Sequence, residues 1–208
     1  ELKTISLFKK DVMKSKKYAD LVSADGGFFW EDENFQEQEA YQLILGEIVA
    51  ALRVQAKGGN FVLKIFEIFT PTTLKLVYLL SSFYETCHLY KPYFSRDSNS
   101  ERYIICKNFQ YDQTKDSKTL DNKISILEKM LEKMNSTKFV NDIFPNLIIP
   151  DEFTNVIRYI NIEIANTQQI MINNIIKYIK GNNFFGDTYH KYRDQQIKAS
   201  KWWIDYFY

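Results

Sequence analysis

The sequence has few of the residues on which disulfides and metal sites depend. Its 208 residues include two cysteines and two histidines. Cys87 and Cys106 have no metal-site spacing and lie in apolar, strand-like segments, which predicts reduced, buried thiols in an intracellular protein, with the cytoplasm favoured over the nucleus. No apolar run approaches the length of a membrane span, and the N-terminus has no signal-peptide pattern, so we expect no membrane partner.

The sequence also lacks a large net charge of either sign. The 27 lysines and arginines are balanced by 26 acidic residues, which leaves a net charge of +1. This balance excludes a global field for nucleic acid, so any RNA site must be a local patch. The hydrophobic content of 45% and charged content of 25% are typical of a globular domain, or of one domain with an extension.

The helix and strand patterns divide the chain into three parts. Residues 1–17 are lysine-rich and predict an N-terminal helix, packed by Ile5, Leu7, Phe8 and Val12, or a linker. Residues 18–110 alternate between strands and helices. Residues 111–208 predict a helical C-terminal extension packed on the sheet. The aromatic residues that close this extension favour core or subunit packing, and RNA base stacking is the alternative; they are Trp202, Trp203, Tyr206 and Phe207.

The second part predicts an α/β fold. Its order is strand, helix, strand, helix, strand, strand, and the helices between strands imply parallel pairing by right-handed crossovers. The last two strands have no helix between them, so one of them is expected to run antiparallel. Gly58-Gly59 is predicted to end the first helix, and Thr70-Pro71 to begin the second. Four strands make the second half of a doubly wound sheet, since a complete one has about six.

Asp25 follows the first predicted strand, which we expect to be buried. Gly26 and Gly27 come next and allow a sharp turn or the close approach of a ligand. Ligands of open α/β sheets bind at the carboxyl ends of the strands, so Asp25 is a candidate site residue. The alternative is an aspartate that only caps a turn.

Two further polar residues occupy equivalent positions. Lys64 interrupts the apolar strand at 61–66, where a lysine is costly unless paired or able to extend to the surface. Glu101 begins the last strand, where it is a second candidate acid or an exposed strand-end residue. If the three strands are neighbours, both carboxylates flank the lysine. Opposite charges favour the ammonium form, so a role as base also requires desolvation or a second cation.

The segments around these residues resemble FtsJ-like ribose 2′-O-methyltransferases, most closely the eukaryotic and viral enzymes that methylate the first transcribed nucleotide of capped mRNA. The resemblance covers residues 18–109, and residues 111–208 match only loosely. The segments that carry it are Ala24-Asp25-Gly26-Gly27-Phe28, Glu33-Asn34-Phe35-Gln36-Glu37, Gly58-Gly59-Asn60-Phe61-Val62-Leu63-Lys64, Phe69-Thr70-Pro71, Tyr78-Leu79-Leu80, Lys91-Pro92, Ser95-Arg96 and Asn99-Ser100-Glu101-Arg102-Tyr103.

The resemblance implies an S-adenosylmethionine-dependent methyltransferase with capped RNA as its substrate. Asp25, Lys64 and Glu101 match three members of the family's catalytic Lys-Asp-Lys-Glu tetrad, with Lys64 deprotonating or orienting the ribose 2′-hydroxyl. The implied cofactor contacts are Asp25 and Gly26. The implied cap and RNA contacts are Phe28, Glu33, Asn34, Ser95 and Arg96, with Phe29 or Trp30 as other stacking partners.

Two parts of the family pattern are not found in these 208 residues. We expect the tetrad's first lysine and the glycine-rich cofactor loop upstream of Glu1. The catalytic half would then bind S-adenosylmethionine poorly alone, and a missing N-terminal half or another subunit would cover its exposed sheet edge.

Two other functions compete with cap methylation. One is an FtsJ-like enzyme acting on ribosomal or transfer RNA, which Glu33-Asn34 and Phe69-Thr70-Pro71 disfavour. The other is a non-catalytic RNA-binding or assembly subunit, which the intact catalytic residues disfavour and the missing glycine loop favours. The abundance of Ile, Lys, Asn, Tyr and Phe is typical of an AT-rich coding sequence such as that of a large DNA virus.

Overall fold

The computed structural model describes residues 2–27, 29, 32–93, 95–136 and 140–208, without the side chain of Glu33. Its elements in chain order are α1 (Leu2–Met13), β1 (Ala19–Ala24), a 3₁₀ turn (Glu33–Phe35), α2 (Gln36–Val54), β2 (Gln55–Ile65), α3 (Pro71–Ser81), β3 (Tyr84–Tyr90), β4 (Arg102–Phe109), α4 (Ser117–Asn135), α5 (Asp151–Lys180) and α6 (Gly186–Phe207).

The four described strands form one mixed sheet in the order β1-β2-β4-β3. Strand β1 pairs parallel with β2, whereas β4 runs antiparallel to both β2 and β3. This arrangement confirms the predicted α/β class, the four strands and the reversed strand. Because β4 is reversed, its first residue lies at the same end of the sheet as the last residues of β1 and β2.

The prediction that Gly58-Gly59 ends the first helix was wrong. Helix α2 ends at Val54, and Gly58 and Gly59 lie within β2. The β1–β2 register shifts between the pairs Ala19–Gln55 and Leu21–Asn60, so the pair forms a bulge. Gly58 has a φ of 80°, and a Cβ at Gly59 would lie 2.9 Å from the carbonyl oxygens of Asp20 and Ala56. Glycine therefore serves close strand packing here and does not end the helix.

Strand β1 is less buried than its sequence suggested. Leu21 is 64% exposed, and the other residues of β1 are half-buried or exposed. The physical reason is its place at the edge of the described sheet, where β2 covers one side of its backbone. The apolar side chains of β2, which lies between β1 and β4, are buried instead; they include Phe61, Leu63 and Ile65.

Helix α4 packs against α2 and contributes to the core. Its buried residues recur at helical spacing; they are Leu120, Ile124, Leu127, Leu131 and Met134. At the rim, the Arg53 guanidinium donates from Nε and Nη2 to the two Glu128 carboxylate oxygens, over 2.9 and 2.8 Å. This two-point contact fixes the angle at which the two helices meet.

The terminal helices are less buried than predicted. In α1, Ile5 is buried, but Leu7 and Phe8 are exposed. In α5, Ile157 is buried, whereas Val156 is exposed on the other face. No residue of α6, all of which is described, is buried. The closing aromatic residues therefore do not lie in the core. None of the described helices combines the length and the apolar character needed to cross a membrane.

Candidate functional site

The three predicted polar residues meet at one edge of the sheet. Lys64 Nζ lies 2.7 Å from Asp25 Oδ1 and 3.9 Å from Glu101 Oε1. The register explains this convergence, because Ala24 pairs with Leu63 on one side of β2 and Tyr103 pairs with Lys64 on the other. The predicted convergence is confirmed, and the two carboxylates resolve the cost of placing a lysine in an apolar strand.

The cluster is partly open to solvent. The side chain of Lys64 is 24% exposed and that of Asp25 is 59% exposed. The lysine stem therefore lies in the fold, while its ammonium group reaches the surface between two acids. The ring of Phe66 covers one side, with its centroid 5.6 Å from Lys64 Nζ. An exposed ammonium in a fixed orientation can donate to an oxygen of a bound substrate.

Tyr103 holds the carboxylate of Glu101. The Tyr103 hydroxyl donates to Glu101 Oε1 over 2.6 Å. This hydrogen bond is the main cause of a lowered pKa at Glu101, with Lys64 adding to the effect against partial burial. The same bond raises the pKa of Tyr103 to about 12. Glu101 is thus kept ionised beside Lys64.

Lys91 organises the loop at residues 91–100, which leads to Glu101. Its Nζ donates to the Asn99 carbonyl and side-chain oxygens, both at 2.9 Å, and to the Glu101 carbonyl oxygen at 3.0 Å. Asn99 Nδ2 donates to Glu101 Oε2 over 3.3 Å, and the Ser95 hydroxyl lies 3.5 Å from the same oxygen. Burial lowers the pKa of Lys91. The loop therefore fixes Glu101 from its backbone and from its side chain.

Glu47 holds the turn that follows Asp25. The Gly26 N–H donates to Glu47 Oε1 over 2.7 Å. Burial raises the pKa of the Glu47 carboxyl, as does the nearby Asp25, while the Gly26 hydrogen bond and Lys64 act in the opposite direction. A Cβ at Gly26 would lie 2.6 Å from Glu47 Oε1 and 2.9 Å from Leu43 Cδ1. Position 26 therefore requires glycine for close contact, and its N–H is already engaged within the protein.

Among the predicted cap and RNA residues, Ser95 contacts this cluster, with its hydroxyl 3.5 Å from Glu101 Oε2. Ser95 belongs to the loop at Glu101, and Arg96 is exposed in the same loop. Asn34 is exposed and donates from Nδ2 to Asp32 Oδ1 over 2.8 Å. Phe28 and the side chain of Glu33 lie outside the described residues, as does Trp30. Their predicted contacts, and those of Asp25 and Gly26 with a cofactor, stay predictions.

A buried arginine links the cluster to α5. Arg102, the residue after Glu101, is 1% exposed and donates to Asn161 Oδ1 over 2.6 Å. The Asn161 amide in turn donates to the Ile68 carbonyl oxygen over 2.8 Å, just beyond β2. Helix α5 is thus attached to β4 next to Glu101 and to the segment that follows β2, the strand of Lys64.

Sequence patterns did not reveal four residues that shape the site: Glu47, Lys91, Tyr103 and Arg102. Glu47 lies in a helix and Tyr103 in a strand, where a polar or aromatic residue is usually a surface or packing residue. Lys91, Arg102 and Tyr103 belong to segments that carry the family resemblance, which was their one available signal.

The arrangement suits proton handling and orientation of a hydroxyl group. A cation between two acids can hold a substrate oxygen and stabilise negative charge as it develops there. Among the described residues, no group of three or more His, Cys, Asp and Glu side chains is placed to hold a metal ion.

Comparison with known proteins identifies the family. The model of the FtsJ-like methyltransferase family matches residues 2–109, slightly more than half of the chain. The chain belongs to the FtsJ-like methyltransferase family. The predicted resemblance is therefore confirmed at the level of the family and its fold.

The chain is also similar to curated members. It is 33% identical over 182 residues to cap-specific mRNA (nucleoside-2′-O-)-methyltransferase 1 of Caenorhabditis elegans, covering 86% of this chain and 20% of that protein. It is 43% identical over 109 residues to the mouse protein of the same name, covering 51% and 13%. It is 29% identical over 181 residues to a Caenorhabditis briggsae protein named as inactive cap-specific methyltransferase 1B, covering 86% and 21%. The chain thus spans about a fifth or less of the length of these relatives.

Proposed function

We propose that this chain carries the catalytic half of an enzyme that methylates the ribose 2′-hydroxyl of the first transcribed nucleotide of capped mRNA. The observation that carries the proposal is Lys64, held 2.7 Å from Asp25 and 3.9 Å from Glu101 at the sheet edge. The substrate follows from the names of the relatives, which describe cap-specific mRNA 2′-O-methyltransferases.

The exposed acid and narrow glycine turn at the end of β1 suit S-adenosylmethionine as the methyl donor. Asp25, whose side chain is 59% exposed, offers a carboxylate to the donor's polar groups. When bound, the donor supplies a methyl group on a positively charged sulfur, which leaves as a neutral thioether. The Gly26 N–H is not offered to it, because Glu47 accepts that hydrogen bond.

The residues of this chain orient the hydroxyl that attacks. Lys64 donates to the 2′-oxygen and stabilises the negative charge that grows there as the hydroxyl proton leaves. Asp25 and Glu101 fix the ammonium group so that it points at one position in space. The hydroxyl proton leaves to solvent, because Lys64 acts as a hydrogen-bond donor to the same oxygen. Most of the rate enhancement then comes from holding the hydroxyl in line with the methyl donor.

Removal of Lys64 tests this role. In the polypeptide that shows methyl transfer, we expect Lys64→Ala to lower the rate at saturating substrate at least about 100-fold, since general acid–base groups contribute roughly 10²–10⁴-fold. Lys129→Ala, which removes an exposed lysine from α4, is the matched control and should leave the rate unchanged. Equal rates in both variants would contradict the catalytic assignment.

Comparing the rate of methyl transfer to capped and to uncapped RNA separates a cap enzyme from one that acts on ribosomal or transfer RNA.

A non-catalytic RNA-binding or assembly role is the second candidate. It is favoured by the relative named as inactive, which matches the same share of this chain as the C. elegans protein does. RNA binding without methyl transfer, in wild type and Lys64→Ala alike, is the result expected of that role.

We further propose that another strand or subunit covers the free edge of β1. The exposed Leu21, and the side of the β1 backbone that no described strand pairs with, support this proposal, because apolar edge strands favour further pairing. Titration calorimetry with S-adenosylmethionine tests it, using the 208-residue chain alone and with upstream sequence added. Binding only by the longer protein supports a cofactor half beside β1, and equal binding by both contradicts it.

A further inference from the structure

An aromatic ridge lies beside the loop that positions Glu101. It consists of Tyr93, Trp202 and Tyr206. The rings of Tyr93 and Trp202 are 5.9 Å apart between centroids, and Trp202 stacks on Tyr206 at 5.5 Å with an interplanar angle of 17°. Tyr93 is 76% exposed, Trp202 50% and Tyr206 70%. The ridge therefore presents aromatic surface to solvent and contributes little to the core.

Two exposed cationic residues belong to the same elements as the ridge, one on α6 and one in the loop of Tyr93. Lys198, Trp202 and Tyr206 follow each other at four-residue intervals on α6, which places them on one helical face. Lys198 is exposed, as is Arg96 in the loop that also carries Tyr93. Aromatic faces combined with cations are what proteins use to bind single-stranded nucleic acid, since every base can stack and every nucleotide carries a phosphate. A local patch of this kind is compatible with a net charge of +1.

The ridge is continuous with the candidate site. Tyr93 belongs to the loop in which Lys91 donates to the Glu101 carbonyl oxygen and the Ser95 hydroxyl lies 3.5 Å from the Glu101 carboxylate. A strand of RNA whose ribose lies at Lys64 would therefore reach the ridge by passing over this loop.

We propose that the aromatic ridge binds unpaired bases of single-stranded RNA, downstream of the nucleotide held at Lys64. The position relative to Lys64 rests on the proposed function, whereas the binding of bases does not. Aromatic residues are also common in protein interfaces. What favours bases and phosphates here is that Tyr93 belongs to the loop of the candidate site and that Lys198 shares the helical face of Trp202 and Tyr206.

The test uses the 208-residue chain and an uncapped, fluorescently labelled RNA of about eight nucleotides, within the range that one such surface accommodates. We expect the double variant Trp202→Ala/Tyr206→Ala to raise the Kd roughly tenfold, because stacking of each base contributes measurably to binding. Trp202→Phe keeps an aromatic face and should stay within about threefold of wild type. Phe185→Ala is the matched control, since Phe185 is an exposed aromatic residue about 25 Å away along α6. It should bind like wild type.

Each outcome supports or contradicts the binding of RNA by the aromatic ridge. Because no α6 residue is buried, the double variant should keep the thermal midpoint of wild type, and weaker binding at an unchanged midpoint supports the proposal. An unchanged Kd in the double variant overturns it. So does an equal loss in Phe185→Ala, or dispersal of a self-associated chain without any change in RNA affinity, which would assign the ridge to a contact between copies.

A methyl-transfer assay on capped RNA, made with upstream sequence added to the chain, separates this inference from the proposed function. RNA binding through the ridge, with no methyl transfer by that longer protein, keeps the inference and contradicts the function. Methyl transfer with no dependence of RNA affinity on Trp202 and Tyr206 does the reverse.

Discussion

The hydrogen bond between Gly26 and Glu47 gives a prediction with a built-in control. An added Cβ at Gly26 would lie 2.6 Å from Glu47 Oε1, the atom that accepts the Gly26 N–H, and 2.9 Å from Leu43 Cδ1. At Gly27, no atom lies within 4 Å of such a Cβ. Gly26→Ala should therefore displace the Glu47 carboxylate, while Gly27→Ala should displace nothing.

The cost in stability is set by two opposing contributions. Hydrogen bonds to charged groups contribute about 1.5–3 kcal/mol, and the lower end applies because Gly26 is exposed and water can replace the lost partner. Alanine also lowers the entropy of the unfolded chain, which raises the free energy of unfolding by about 0.4–1 kcal/mol. A net loss of about 1 kcal/mol lowers the thermal midpoint by roughly 2–4 °C at this size.

The cost in rate is larger, because the turn also positions Asp25. A displacement of about 1 Å in a catalytic group can reduce a rate by roughly 100-fold. We expect single-turnover methyl transfer by Gly26→Ala to fall about 10- to 100-fold, and that by Gly27→Ala to stay within about twofold of wild type. Thermal unfolding of both variants shows whether the loss exceeds any change in stability. If the two alanine variants have the same rate, Glu47 does not position this turn.

Two further predictions concern protonation and packing. Tyr103→Phe removes the hydrogen bond that chiefly lowers the pKa of Glu101, so that pKa should rise toward its ordinary range. Activity and stability that depend on the ionised carboxylate should then be lost at a higher pH on acidification; superimposable acid limbs of the pH–rate profile would contradict this. Leu131→Ala, at a fully buried position of α4, should lower the free energy of unfolding by about 2–5 kcal/mol. Ile126→Ala, at a mostly exposed position of the same helix, should change it by less than about 0.5 kcal/mol, as denaturant unfolding can measure; similar losses would refute the packing of α4 on α2.

The convergence of the site was predictable because each of its three residues has a strong local signal. Lys64 is a single lysine in an otherwise apolar strand, and Asp25 and Glu101 lie where strands end or begin. The missing helix between the last two strands also predicted the reversed strand, which brings Glu101 to the correct edge.

Other features depend on which side chains meet in space. Gly58-Gly59 fits a helix end and a bulge equally well, and only the pairing of β1 with β2 decides between them. Glu47 is one of several acids on α2, and its role follows from its contact with Gly26. The exposure of Val156 depends on which face of α5 meets the sheet, and an apolar pattern on several faces does not specify it.

The attachment of α5 gives the fold a mechanical property. This helix has 30 residues, about 45 Å, but its buried residues, Ile157 and Asn161, lie in its first half. Its anchor is Asn161, which holds Arg102 on one side and the carbonyl of Ile68 on the other. The part of α5 beyond Asn161 has no buried residue, so a force applied near its far end would act on the fold as a torque about Asn161. Arg102 is one peptide bond from Glu101, so such a torque would be transmitted through Arg102 to the 3.9 Å gap between Glu101 and Lys64.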